Sequence, residues 1–340
     1  MDKLVLFDNT KLKSVLNKRP KESKFGEHIK VLTSVSNIYE QLINLDVSYV
    51  LIGLPEDVGV FANYGKPGTS TTFDAVIKIL LNIQSNTYTH ANKVLVLGHL
   101  DFDFELKKLK KLDQNKKKDI AKARKMVETI DQQVANLVHT IVKSGKKPII
   151  IGGGHNNAYG NIKGSSLALN TAINVVNLDA HTDFREEEGR HSGNGFRYAF
   201  AEGFLHNYFI FGLHENYNAQ SIINTIKSEK RIGFNTYEAI SVRKELKFKT
   251  EIERALKHVS AKPFGIEIDC DAIANTSSSA KTPSGFSVNK TRNFVNYFAK
   301  HKNATYLHIC EAIATPENEA QIGKLISYLI TDFIRANTKK

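Results

Sequence analysis

Three short polar clusters, each placed directly after an apolar run, collect the residue types that bind divalent cations. Gly152-Gly153-Gly154-His155-Asn156-Asn157 turns the chain tightly and presents one imidazole. Asp179-Ala180-His181-Thr182-Asp183 offers two carboxylates around a second imidazole, and Asp269-Cys270-Asp271 adds two more carboxylates. In extended backbone the side chains at i and i+2 share a face, so Asp179, His181 and Asp183 are expected to point at one spot, as are Asp269 and Asp271. Alone, each cluster reads as well as a turn, a helix cap or a satisfied core histidine. Together they would place four carboxylates and two imidazoles in one buried region, a prohibitive arrangement for uncompensated charge. A pair of divalent cations resolves the conflict, and the oxygen-rich set with two nitrogen donors favours Mn2+ among first-row metals. Among the other histidines, His99, His206, His214 and His308 are read as structural or surface residues.

Ligands of this kind gather beyond the carboxyl ends of parallel strands. Continuous apolar runs, the mark of strands buried on both faces, predict strands over 47–53, 94–97, 148–151, 173–178, 208–211, 263–268 and 305–309. Helical periodicity predicts helices near 73–83, 117–143, 291–300 and 321–335. The alternation indicates a three-layer α/β/α fold around a mostly parallel central sheet. At 340 residues the chain is long for one domain, but α/β architectures reach this size around one sheet. A single catalytic domain over 47–340 is expected, with the polar segment 1–46 packing on it.

Composition narrows the function classes. Apolar residues make up 41%, yet no stretch approaches the roughly 18 apolar residues of a membrane span. The N-terminus, MDKLVLFDNTKLK, lacks the pattern of a secretory signal, and the only cysteines, Cys270 and Cys310, lie in strand-like runs that suit a reducing compartment. A cytoplasmic protein without a membrane partner is expected. The net charge of +12 concentrates in Lys107 to Lys125, where apolar residues interleave with the lysines as on a solvated amphipathic helix face. Aromatic interleaving is missing there, so no nucleic-acid partner is expected.

At the three clusters the sequence resembles the ureohydrolase family, which includes arginase, agmatinase and formimidoylglutamase. The resemblance runs from about Val47 to the C-terminus, with the motifs in family order. It implies a binuclear manganese site in which His155 and Asp183 serve one ion, His181 and Asp271 the other, and Asp179 and Asp269 bridge both. Two ions about 3.5 to 4 Å apart would share a nucleophilic hydroxide. Asp183 would take its proton and pass it to the leaving nitrogen. Glu311, in Leu307-His308-Ile309-Cys310-Glu311-Ala312, resembles the carboxylate that pairs with the substrate's cationic nitrogens. The family also implies a homo-oligomer, a trimer or hexamer.

Departures from arginase point to the substrate. In Ser192-Gly193-Asn194-Gly195-Phe196-Arg197, Phe196 stands where arginase carries a proton-shuttling His, and Arg185 stands in place of an Asn. Both resemble formimidoylglutamase. Arg185 and Arg197 are therefore candidate carboxylate clamps, Asn194 joins them as a substrate-binding residue, and His191 is the candidate replacement shuttle. The stretch from Gly53 to Gly68 resembles the entrance loop of formimidoylglutamase, with Lys66 in place of an Arg, while the loop after Asp271, which begins Ala272-Ile273-Ala274-Asn275, departs from the family's usual Asp-Pro continuation. The resulting expectation is hydrolysis of formimidoylglutamate to formamide and glutamate. The alternatives are an arginase or other guanidino-acid hydrolase and, in another class, a non-catalytic metal-binding oligomeric scaffold.

Overall fold

Strand-forming apolar runs and amphipathic helices alternate along the chain and assemble one nine-stranded sheet in a computed structural model that describes residues 3–337. The extreme ends of segments 1–46 and 47–340 lie outside the described residues. In chain order the elements are β1 (Leu4–Leu6), α1 (Asn9–Val15), α2 (Ile38–Asn44), β2 (Tyr49–Gly53), α3 (Val58–Ala62), α4 (Thr72–Leu80) and β3 (Val94–Leu100). Next come α5 (Asp103–Leu109), α6 (Lys117–Lys143), β4 (Lys147–Ile151), α7 (Asn157–Leu169), β5 (Ile173–Leu178), α8 (Gly195–Ala201) and β6 (Leu205–Leu213). The chain continues through α9 (Gln220–Ser228), β7 (Ile232–Thr236), α10 (Phe248–Val259), β8 (Phe264–Asp269), α11 (Val288–Ala299), β9 (Ala304–Cys310) and α12 (Glu319–Asn337).

The strand order is β1-β3-β2-β4-β9-β8-β5-β6-β7, and every pairing is parallel except that of β1 with β3. Successive strand residues feed opposite faces. Leu51, Val176 and Ile268 join one apolar core with α4, α10, α11 and α12, while Val50, Ile52 and Val175 join the other with α6, α7 and α8. Consecutive strands β4 and β5 are separated by β9 and β8, so the chain leaves in opposite directions there and opens a crevice at the strand ends.

Some elements carry too little signal to be read from sequence. Strands β1 and β7 lie at the two sheet edges, where short, half-polar segments such as Ile232-Gly233-Phe234-Asn235-Thr236 suffice. The lysine-rich run is not one helical face: it spans the end of α5, a turn and the start of α6. Among the described residues no helix is long and apolar enough to cross a membrane.

Helices α6 and α7 pack with almost no space between them at Gly164. A Cβ there would lie 2.4 Å from the Ala135 carbonyl oxygen and 2.9 Å from the His139 nitrogen. Gly164→Ala should gain up to about 1 kcal/mol of helix propensity. Against this stands a clash with rigid backbone, of the overpacking kind that costs about 1–3 kcal/mol. The clash is expected to win, giving a lower thermal midpoint for this variant than for wild type. An unchanged or raised midpoint would show that the helices separate freely.

Candidate active site and metal centre

The four central strands β4, β9, β8 and β5 deliver the polar clusters to one place. After β4 the chain reverses through Gly152 and Gly153, whose φ values of +88° and +72° are open to glycine at little cost. The buried Glu56 organises this turn. Its Oε1 accepts from the Gly154 N–H at 2.9 Å and from Asn157 Nδ2 at 2.8 Å, and its Oε2 accepts from the Val58 and Gly59 N–H groups. His155 is thereby set facing the ends of β5 and β8.

The other two clusters converge by a different route from the extended pleat that their i, i+2 spacing suggests. Asp179 Oδ1 accepts from the His181 N–H at 2.7 Å, and Asp269 Oδ1 accepts from the Asp271 N–H at 2.6 Å. Each leading carboxylate captures the backbone two residues on and bends the chain, the usual behaviour of Asp in such turns. Asp183 and Glu311 have φ of +43° and +62°, left-handed backbone that non-glycine residues adopt rarely and that gathers at functional sites.

His155 Nδ1 lies 3.2 Å from Asp179 Oδ2, 2.9 Å from Asp183 Oδ2 and 3.1 Å from Asp269 Oδ2. These four residues form one group able to hold a metal ion, and His181, Asp269 and Asp271 form a second. Asp269 belongs to both. Asp179 also reaches both histidines, since its Oδ1 is 3.6 Å from His181 Nδ1. Burial and mutual repulsion push the carboxyls of Asp183 and Asp269 above the usual range, and burial followed by the nearby Asp271 charge pushes Glu311 up to about 8. So much desolvated negative charge fits a pair of divalent cations and is hard to sustain without them.

The divergent loop after Asp271 folds back onto it: the Ala280 N–H donates to Asp271 Oδ1 at 3.0 Å and Ser279 Oγ to Oδ2 at 3.2 Å. Above the clusters lies a cavity of about 180 Å³, lined by His181, Asp183, Asp269, Asp271 and Glu311 together with Asn63, Arg185, Tyr217 and Ser279. Glu311 Oε1 accepts from the His155 N–H at 2.6 Å, while its Oε2 is buried without a partner. Tyr217 stacks on His181 at 5.6 Å.

Of the residues assigned to the substrate, Arg185 reaches the cavity wall, where Nη1 donates to Asn63 Oδ1 at 3.1 Å and Nη2 lies 3.3 Å from Glu188. Glu311 lines it as well, whereas Asn194 and Arg197 do not. Asn194 is buried and committed to its own loop, accepting from Arg190 and the His191 N–H and donating to the Glu186 and Gly189 carbonyls. Arg197 lies on α8, turned away onto the Phe184 ring and toward Glu187. His191 is fully buried, with Nδ1 accepting from the Gly193 N–H and Nε2 3.2 Å from Glu188, so it shapes the loop and has no line to the cavity. Phe196 is buried with its ring nearly perpendicular to that of His155 and stacks on Tyr208.

Two supporting residues escape notice in the sequence. Arg190 is buried between Tyr159 and Tyr198 and bonds Asp131, Asn194 and the Asn156 carbonyl, tying the loop before α8 to the turn that carries His155. Glu267 sits inside β8 behind His155, bonded to His308 and Tyr306. A lone acid in an apolar strand, two residues before Asp269, was the available signal for it.

A sequence profile of the arginase family matches residues 47–333. Formimidoylglutamases of Streptococcus pyogenes, among them those of serotype M3 strain MGAS315 and serotype M49 strain NZ131, are 29% identical over 235 residues, 66% of this chain. The match spans 65% of the length of those curated relatives. Among solved structures, the formimidoylglutamase from Bacillus subtilis subsp. subtilis str. 168 superposes with a TM-score of 0.72 at 18% identity, covering 94% of this chain and 93% of that one. Trypanosoma cruzi formiminoglutamase with Mn2+ superposes with a TM-score of 0.71 at 18% identity, covering 93% and 98%. These likenesses establish a shared fold.

Proposed function

The chain belongs to the arginase family, and from that premise we propose that it is a binuclear manganese hydrolase that cleaves a carbon-nitrogen bond of a linear amidine, with formimidoylglutamate as the first substrate to test. The observation that carries this reading is the pair of ligand groups sharing Asp269 at the floor of a cavity lined by Glu311, whose Oε2 is buried without a hydrogen-bond partner. His155, Asp179, Asp183 and Asp269 would hold one ion, and His181, Asp271 and the two shared carboxylates the other. When bound, the ions would supply Lewis acidity toward the amidine and lower the pKa of water from about 15.7 toward neutrality.

The chain's own residues divide the remaining work. Glu311 Oε2 receives the cationic amidinium nitrogens, because a buried carboxylate oxygen gains most from a charged donor. Asp183, at the cavity wall, is placed to accept the nucleophile's proton and return it to the leaving nitrogen. Arg185 at the mouth receives a carboxylate at the far end of the substrate.

Arg185→Ala is expected to raise KM for formimidoylglutamate about 10- to 100-fold, matching the loss of roughly 1.5–3 kcal/mol of charge-assisted hydrogen bonding, with kcat changed less. Equal loss for an uncharged amidine would show that Arg185 acts on the fold instead. One observation favours a second reading, a guanidino-acid hydrolase: among the described residues Arg185 is the one guanidinium on the cavity wall, enough for a single carboxylate. Assaying the manganese-loaded protein against formimidoylglutamate, arginine, agmatine and guanidinobutyrate decides between them. Turnover of another compound without the first removes the preferred substrate, and bound metal with no turnover of any leaves the scaffold. The buried free thiols of Cys270 and Cys310 support a cytoplasmic setting, and the family resemblance supports a trimer or hexamer, which light scattering would measure.

A further inference from the structure

Strand β8 runs through the middle of the sheet, yet it places a fully buried acid, Glu267, directly opposite His308 of β9. A buried carboxylate is costly unless its oxygens are bonded. Glu267 Oε1 accepts from Tyr306 Oη at 2.7 Å, and Oε2 sits 2.5 Å from His308 Nδ1. The same Oε2 lies 3.5 Å from His155 Nε2, which has no hydrogen-bond partner. On the other side of the imidazole, Nδ1 faces Asp179, Asp183 and Asp269, and the Phe196 ring lies nearly perpendicular to the imidazole at 5.0 Å. The ring is thus enclosed on every side that could let it turn. A histidine that gives Nδ1 to a metal must carry its proton on Nε2, and metal-ligating histidines donate that second N–H to a carboxylate or carbonyl that fixes tautomer and orientation.

We propose that Glu267, anchored by His308 and Tyr306, is the positioning residue that holds His155 with its proton on Nε2 and its Nδ1 turned to the metal centre. The inference rests on the metal-centre reading above. It assigns His308 a task beyond core packing: it supports the acceptor and does not ligate.

Two full-length variants test it by isothermal titration of Mn2+ into metal-free protein, with thermal melting of the same samples. Glu267→Gln replaces the acceptor by an amide, and Mn2+ affinity at one of the two sites is expected to fall about 10- to 100-fold, the effect typical of removing such a partner. The triple variant Glu267→Met/Tyr306→Phe/His308→Leu removes the whole network in favour of apolar groups, an exchange that buried polar networks often tolerate. It should melt near the wild-type temperature and still show the affinity loss. Wild-type affinity in the triple variant would overturn the proposal, since the network would then serve the fold alone; that outcome decides the matter even if Glu267→Gln does not fold. Absence of Mn2+ uptake by the wild-type protein would instead overturn the metal-centre reading, and this inference with it.

Discussion

Asp269→Asn should lower kcat for amidine hydrolysis by on the order of 10^4-fold or more, because it removes negative charge from a carboxylate that belongs to both ligand groups. Asp269 Oδ2 lies 3.1 Å from His155 Nδ1, and its Oδ1 is held by the Asp271 N–H. An asparagine keeps the shape and the turn but gives a neutral ligand with one oxygen. Asp183→Asn touches a single group and is expected to cost less, about 10^2- to 10^4-fold, the range for a lost proton carrier. The melting temperature of metal-free Asp269→Asn protein should not fall. Burial and the charges of Asp271 and Asp179 already push the Asp269 carboxyl far above the usual range, so removing its charge relieves repulsion. Metal content and kcat measured together check this: full metal content with wild-type kcat would mean that Asp269 does not bridge.

Arg190→Ala should produce the largest loss of stability. Its guanidinium donates to Asp131 at 2.8 Å from Nε and 3.3 Å from Nη2, to Asn194 at 2.5 Å and to the Asn156 carbonyl at 3.1 Å. Both members of the ion pair are buried, with side-chain exposures of 4% each. Removing one partner leaves an uncompensated carboxylate inside the protein, at about 3–5 kcal/mol. In a chain of this size that is a fall of roughly 4–7 °C in the melting temperature. Arg190→Lys should recover little, since one ammonium cannot reach acceptors on three segments as a planar fork does. Asn156 follows His155 directly, so the variant is also expected to weaken metal binding. A melting temperature within about 2 °C of wild type would show that the pair is neutral in energy.

The metal motifs were legible because ligand types stood at the ends of apolar runs, where a parallel sheet presents them. The order of the central strands was not legible, nor was the bend that Asp179 and Asp269 each impose by capturing an N–H. The substrate side was read less well, for a geometric reason. In Ser192-Gly193-Asn194-Gly195-Phe196-Arg197 the helix α8 begins at Gly195, so Gly193 stays at the cavity while Arg197 rotates away to Phe184. A stretch rich in Gly and Asn gives no sign of where such a helix starts. His191 and Asn194 look like site residues by type, but their polar atoms are consumed by Gly193, Arg190 and neighbouring carbonyls. Glu267 and Arg190 were missed because partners more than thirty residues away in sequence, His308 and Asp131, give them meaning.

A two-ion centre that hydrolyses an amidine must couple turnover to metal occupancy, which one titration measures. Manganese is added to metal-free protein in the presence of formimidoylglutamate, and formamide release is followed against bound metal. Turnover is expected to grow with occupancy and to level off at two ions per chain. Saturation at two ions without formamide release, and without turnover when guanidino acids replace the substrate, would contradict a hydrolytic two-ion centre.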